Sequence, residues 1–296
     1  MIPDRTTQPS IARRYPIASF TILAVVLGAG AVYLLVREVL PPGLSLVPAL
    51  SASIAGIIMT AVEDGRTGLE LMLSRLLIWR VGIGYWLFAV LFVALAILLG
   101  SLLNPLFNGD ALDFSSMGHP LQIIPIFFIF FIVAGLGEEL GWTGFLMPRL
   151  QASHGALTSS IIRSVICGVW HLPLLIYLRL DHPSLADFPY SGWIAQMGLP
   201  VTIGVLTLLI ILPWSVFYTW IFNNTRGSLL LVAVLHGSEI WVAYGMLNTG
   251  IDPRNFHNFW GYGAIIAVAA IIITLTNGAQ DLSRKYKRIV RQPSPV

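Results

Sequence analysis

The sequence predicts an all-α fold: a polytopic transmembrane helical bundle of about eight spans, with one amphipathic helix lying in the membrane interface. Three observations carry this reading. Only 10% of the 296 residues are charged while 56% are hydrophobic, and a soluble domain carries about 25% charge. Several apolar runs reach the ~20 residues that a helix needs to cross a bilayer. Basic residues also segregate in the order that eight crossings would give. Of the 17 Lys and Arg, only Arg37, Arg179 and Arg254 fall in loops opposite the termini, and Arg163 alone lies well inside a span, Arg149 standing at the cytosolic end of span four. The rest sit with the two termini, which the positive-inside rule makes cytosolic.

Residues 1–17 read as a cytosolic tail, with Arg5, Arg13 and Arg14 before the first apolar run. The Arg13-Arg14 pair is taken as the positive flank of span one rather than a twin-arginine export signal, because more spans follow. Spans one and two cover 18–36 and 44–62, joined by a turn at Pro41, Pro42 and Gly43. Between Gly65 and Arg80 the pattern changes. Leu69, Met72, Leu73, Leu76 and Leu77 take one helix face, and Arg66, Glu70, Ser74 and Arg75 the other. That periodicity describes an interfacial helix, with a cytosolic helix capping the bundle as the alternative.

Span three covers 82–103, and a polar loop with Asp110 and Asp113 follows. Span four, 121–150, carries Gly137, Gly141 and Gly144 at i, i+4 and i+7, a small-residue stripe that lets a neighbouring helix come close. Span five covers 156–178. A loop with His182 and Asp187 leads to span six, 194–222, where Pro200 and Pro213 are expected to kink the helix. Spans seven and eight cover 228–247 and 259–275. Residues 18–276 form one transmembrane domain whose core is 121–247, and 277–296 form a basic cytosolic tail. Net charge is only +3 and Cys167 stands alone, so no disulfide and no nucleic-acid partner are expected.

Against this apolar background Glu138 and Glu139 stand out in the middle of span four. An ionised carboxylate at bilayer depth costs roughly 2.5–3.5 kcal/mol on insertion scales, so the pair needs a polar cavity or partners. The other ionisable or imidazole groups within spans are few: Arg163 and His171 on span five, His236 and Glu239 on span seven. At ~1.5 Å per residue, Glu138 lies about 18 Å, His171 about 22 Å and His236 about 12–18 Å from the cytosolic ends of their helices. The three can share one layer. Pro173, just after His171, withholds a backbone donor from the Val169 carbonyl and loosens the helix there.

These residues resemble the three motifs of the CPBP family of intramembrane proteases, which includes CAAX prenyl endopeptidases and bacterial Abi bacteriocin-immunity relatives. Motif one is Glu138-Glu139 with Trp142, Gly144 and Pro148. Motif two is Trp170-His171-Leu172-Pro173. Motif three is Asn224, the Gly227-Ser228-Leu229-Leu230 run and His236. The resemblance implies that Glu138 is the general base, that His171 holds the water or relays its proton, and that His236 stabilises the oxyanion. Three positions depart from the pattern: Thr143 stands where an arginine is usual, Cys167 where an aromatic is usual, and Ile240 where asparagine or aspartate follows the motif-three histidine. Glu239 is expected to orient His236 in place of the lost residue, and Arg163 either to pair with Glu139 in place of the arginine missing at Thr143 or to snorkel to the cytosolic surface.

Two histidines and a glutamate can also ligate zinc with an open position, which would make Glu138, His171 and His236 the ligands. The absence of a local H-E-x-x-H motif favours a metal-independent glutamate mechanism with no cofactor. The expected activity is endoproteolysis of a membrane protein or peptide near the bilayer surface, in a bacterial plasma membrane. The alternative is a catalytically inactive relative acting as a membrane binding, scaffold or bacteriocin-immunity protein. A proton-coupled transporter would also bury Glu and His, but no inverted repeats are seen.

Overall fold

The computed structural model describes residues 10–41, 47–109, 120–179, 191–245 and 256–291. The expectations for the first nine residues, for Asp110 and Asp113, for His182 and Asp187, and for the sidedness of Arg254 lie outside them. Among the described residues seven helices are long and apolar enough to cross a membrane. An eighth, Leu229–Gly245, is shorter at 17 residues. In chain order we call these α1 (Pro16–Val36), α2 (Leu50–Ser74), α3 (Ile83–Ser101), α4 (120–153), α5 (Ala156–Arg179), α6 (Leu199–Asn224), α7 (Leu229–Gly245) and α8 (Phe256–Asn277). Apolar rows face outward along their whole length. Leu87, Leu91, Leu95 and Leu99 on α3 are 42–55% exposed. Val268, Ile271, Ile272 and Leu275 do the same on α8. Water would not tolerate such stripes, and lipid does: the protein is an integral membrane protein.

Two apolar clusters form inside. One joins α1, α2, α4 and α5 through Phe20, Met59, Trp142, Phe145, Leu150 and Leu175. The other joins α3, α6, α7 and α8 through Ile97, Phe217, Phe222, Leu231, Leu235 and Phe259. The glycine stripe of α4 meets α2. A methyl group on Gly137 would come 2.8 Å from Leu50, one on Gly144 would reach 3.2 Å from Met72, and Gly141 lies against the Ala52 carbonyl. On the α2 side, Gly56 would put a Cβ 2.7 Å from the Gly141 backbone. The two backbones are thus in direct contact, as small-residue interfaces allow.

The amphipathic segment follows a real break. Gly65 has φ +62° and ψ −152°, a conformation closed to other residues. It separates the spanning part of α2 from the 66–74 stretch, which runs on as a 3₁₀ turn to Leu77. That helix therefore ends three residues before the expected Arg80. Met72, Leu69 and Leu76 pack on the core, while Leu71, Leu73 and Leu77 are exposed. Both apolar sides are thus occupied, one by protein and one free for lipid.

In α6 the chain breaks at Gly198, φ +77°, so Pro200 falls in a first-turn position where a missing N–H costs nothing. Pro213 lies within the continuous helix, directly after the π-helical stretch Leu206–Ile211.

The stretch read as a basic tail is a strap across the ends of the bundle. Asn223 donates to the Asp281 carbonyl at 2.8 Å and accepts from the Ile289 N–H at 3.1 Å. Asn224 donates to the Leu282 carbonyl and Gln151 to the Ile289 carbonyl. Leu282 is fully buried. Further along, Arg291 reaches Glu63 at 3.2 Å and also pairs with Asp64, the two acids that Arg149 binds at 2.6 and 2.8 Å. Arg13 reaches the Val62 carbonyl at the same place. Both ends of the described chain therefore meet at one end of the bundle, at an acidic pair just before Gly65. Asn223→Ala should lower stability by about 1–3 kcal/mol, because it strands buried backbone groups of the strap. Thermal unfolding in detergent measures this, and an unchanged midpoint would show the strap to be loosely held.

Candidate active site

The glutamates stand on a local irregularity of α4. Phe131–Leu136 and Leu140–Leu146 are π-helical, and only Gly137–Glu139 between them is α-helical. Wide turns of this kind re-aim side chains and cluster at functional sites. Ser53 on α2 donates to the Leu136 carbonyl at 2.7 Å, satisfying a group at the end of the first wide segment. The two carboxylates consequently meet different surroundings.

Glu139 is 1% exposed and saturated with donors. Its Oε1 accepts from Arg163 Nη2 of α5 at 2.8 Å and from His236 Nδ1 of α7 at 2.9 Å. Its Oε2 accepts the Thr143 hydroxyl one turn along α4. Arg163 does not reach for the surface: it is 3% exposed. The arginine absent from position 143 of α4 is thus matched by one from α5, with threonine contributing a neutral bond in its place. A carboxylate on His236 Nδ1 sets the tautomer and leaves Nε2 as the free edge of the ring.

Glu138 is 9% exposed. It accepts one bond, from Trp142 Nε1 at 3.2 Å, and makes no ion pair among the described residues. Its wall is aromatic: Trp142 lies edge-on to Phe20 and to Trp170, and Trp170 donates to Ser51 at 2.9 Å. His171 follows Trp170. Its Nδ1 bonds the Cys167 carbonyl at 2.8 Å, so the Nε2 of His171 is open to accept. A small apolar pocket of about 30 Å³ opens on the Trp170–His171 side, bounded by Gly28, Val32 and Pro48 as well.

Among the expected site residues, Glu139, Thr143, Arg163 and His236 are in direct contact. Glu138 and His171 adjoin them through the Trp142–Trp170 wall. Glu239 does not orient His236 directly. It accepts the Tyr218 hydroxyl of α6 at 2.8 Å, because its position three residues on points it past the imidazole. Tyr218, stacked on His236 with ring centroids 5.2 Å apart, is a residue the sequence reading missed. An aromatic among the many on α6 carried no signal of its own.

Residues 120–242 match the Type II CAAX prenyl endopeptidase Rce1-like family. Over this segment, less than half of its length, the chain is similar to that family. A CAAX prenyl protease 2 of Methanococcus maripaludis is 28% identical over 143 residues, 47% of this chain. The matched region spans about half of that relative, 48% of its length. The family segment runs from the start of α4 to the last turns of α7, and so contains both glutamates, both histidines, Arg163 and Tyr218.

Proposed function

We propose that the protein is an intramembrane endopeptidase that hydrolyses a peptide bond near the membrane surface with a water activated by Glu138. The observation that carries this is the contrast between neighbours. Glu139 is consumed by Arg163, His236 and Thr143, while Glu138 holds a single indole bond and keeps an oxygen free. In this reading Glu138 takes a proton from water as the hydroxide adds to the scissile carbonyl carbon. His171 Nε2 accepts the water's second hydrogen bond. The carbonyl electron pair moves to oxygen, and the protonated ring of His236, held by Glu139, donates Nε2–H to that oxyanion. Collapse expels the amine, which takes the proton back from Glu138, and leaves a new carboxylic acid that ionises on release.

A metal-independent mechanism is part of the proposal. Its support is the donor set: among the described residues no three His, Cys, Asp or Glu side chains are grouped as metal ligands. Chelation is therefore expected to leave turnover unchanged. The end of the bundle where both ends of the described chain meet would face the cytosol. The substrate class follows the relatives' names: a peptide with a prenylated CAAX end, presented from the bilayer.

The test is purified protein in detergent against peptides with and without a prenyl group, before and after exhaustive chelation. Cleavage that survives chelation supports the proposal. Cleavage lost to chelation and restored by zinc would make Glu138, His171 and His236 ligands instead. Ile240, at the position where the motif carries a polar residue, favours a second reading: a binding or immunity protein without turnover. Retained peptide binding with no cleavage of any peptide would establish that one.

A further inference from the structure

We propose that Tyr218, held by Glu239, is a positioning residue for His236 and takes over the task of the polar side chain that Ile240 lacks. This rests on the endopeptidase reading for its catalytic consequence, but its geometry stands apart from it. Glu139 grips His236 and Arg163 with the same oxygen, at 2.9 and 2.8 Å. One carboxylate oxygen fixes where those two groups begin, not how their planes tilt. Tyr218 supplies the missing constraint. Its ring stacks on the imidazole at 28° between planes, and the Arg163 guanidinium carbon lies 4.8 Å from the same ring's centroid. Tyr218 therefore closes the Glu139–His236–Arg163 triangle on its open side.

The ring also answers a buried cost. Arg163 Nε and Nη1 are buried and have no hydrogen-bond partner among the described residues. The electron-rich face of an aromatic ring compensates such a cation. Tyr218 itself is 4% exposed, and its hydroxyl is tied to Glu239 Oε2 at 2.8 Å. Glu239 stands one turn from His236 on the same helix, beside Ile240. The polar link back to α7 thus runs from Glu239 through the tyrosine ring to the imidazole, rather than along one helix face.

Two readouts separate this inference from the protease reading. The first is stability, measured whether or not any substrate is cut. Tyr218→Leu and His236→Ala are made singly and together. Contact predicts that the double loss in Tm falls short of the sum of the singles by at least about 3 °C. Additive losses would overturn the proposal. Coupling with no turnover in the wild-type protein would leave the positioning role and remove the protease reading.

The second readout is kinetic, on a substrate whose cleavage Glu138→Gln abolishes. Tyr218→Leu should lower kcat at least about tenfold with KM within about twofold, as expected when an interaction made only in the transition state is lost. Tyr218→Phe, which keeps the stacked ring, should hold kcat within about threefold. Equal loss in the Leu and Phe variants, or a folded Leu variant with wild-type kcat, would overturn the proposal. If the Leu variant does not fold, Tyr218→Phe and Glu239→Gln are combined. Their kcat effects should be non-additive, because both act on one bond, and strict additivity would overturn the proposal.

Discussion

Replacing Glu138 by glutamine is expected to lower turnover by roughly 10²–10⁴-fold, the range supplied by a positioned general base, while leaving the bundle folded. The structure explains why the second half of that statement holds. Glu138 makes no ion pair among the described residues, and its one acceptor contact is with Trp142 Nε1 at 3.2 Å. A glutamine carbonyl can accept the same bond in the same space. What the amide cannot do is take a proton from water. The comparison with Glu139→Gln sharpens the test. There the lost charge is shared by Arg163 and His236, so stability and turnover should fall together. Undiminished turnover in Glu138→Gln, with loss only in Glu139→Gln, would transfer the base assignment to Glu139. Kinetics on both variants, with thermal unfolding alongside, gives the answer.

Arg163→Ala is expected to cost about 3–5 kcal/mol of stability, the range for stranding one member of a buried pair. Side-chain exposures of 3% and 1% leave little water to compensate Glu139. Its remaining donors would be His236 and the Thr143 hydroxyl. Adding Thr143→Arg should recover part of the loss, because position 143 already contacts Glu139 and the removed arginine vacates volume beside it. Recovery should be incomplete, since Thr143 is itself fully buried and an arginine there must find its own packing. Chemical or thermal unfolding of the three variants measures this. A midpoint unmoved by Arg163→Ala would show that the pair contributes nothing net, and absence of rescue would show that the second site cannot aim a guanidinium at Glu139.

Much of the architecture was legible because its physics is one-dimensional. Crossing a bilayer requires ~20 apolar residues, and that requirement is written along the chain as runs that became α1, α3, α5, α6 and α8 with ends shifted by only a few residues. The glycine stripe of α4 was legible for the same reason. Small residues at helical spacing have no reason to align except to admit another backbone, and Gly56 of α2 is the backbone they admit. The motif residues were legible because charged and imidazole groups are too costly in lipid to occur there by drift.

Other features needed the third dimension. Depth along a helix follows from counting, but the direction a side chain faces depends on how its helix is rotated against its neighbours. Counting could place Arg163 and Glu139 in neighbouring layers and could not choose between a pair and a guanidinium reaching for the surface. Packing of α5 on α4 brings them to 2.8 Å. Two π-helical segments also shift the helical phase on either side of Glu138 and Glu139, so a regular 100° per residue misjudges their direction. The same ignorance of rotation hid Tyr218, one of several aromatics on α6 until that helix turns it onto His236, and sent Glu239 to the wrong partner. The strap was hidden for another reason. Its bonds run to backbone carbonyls and N–H groups, which every residue carries, so a Lys- and Arg-rich composition looks the same whether the backbone is free or held. By itself, then, the sequence determined that this chain lives in a membrane as a bundle of several spanning helices, and which few polar groups it takes inside. Only the tertiary structure decided which carboxylate is spent on holding neighbours and which is left free, because that depends on azimuth and contact rather than on composition and count.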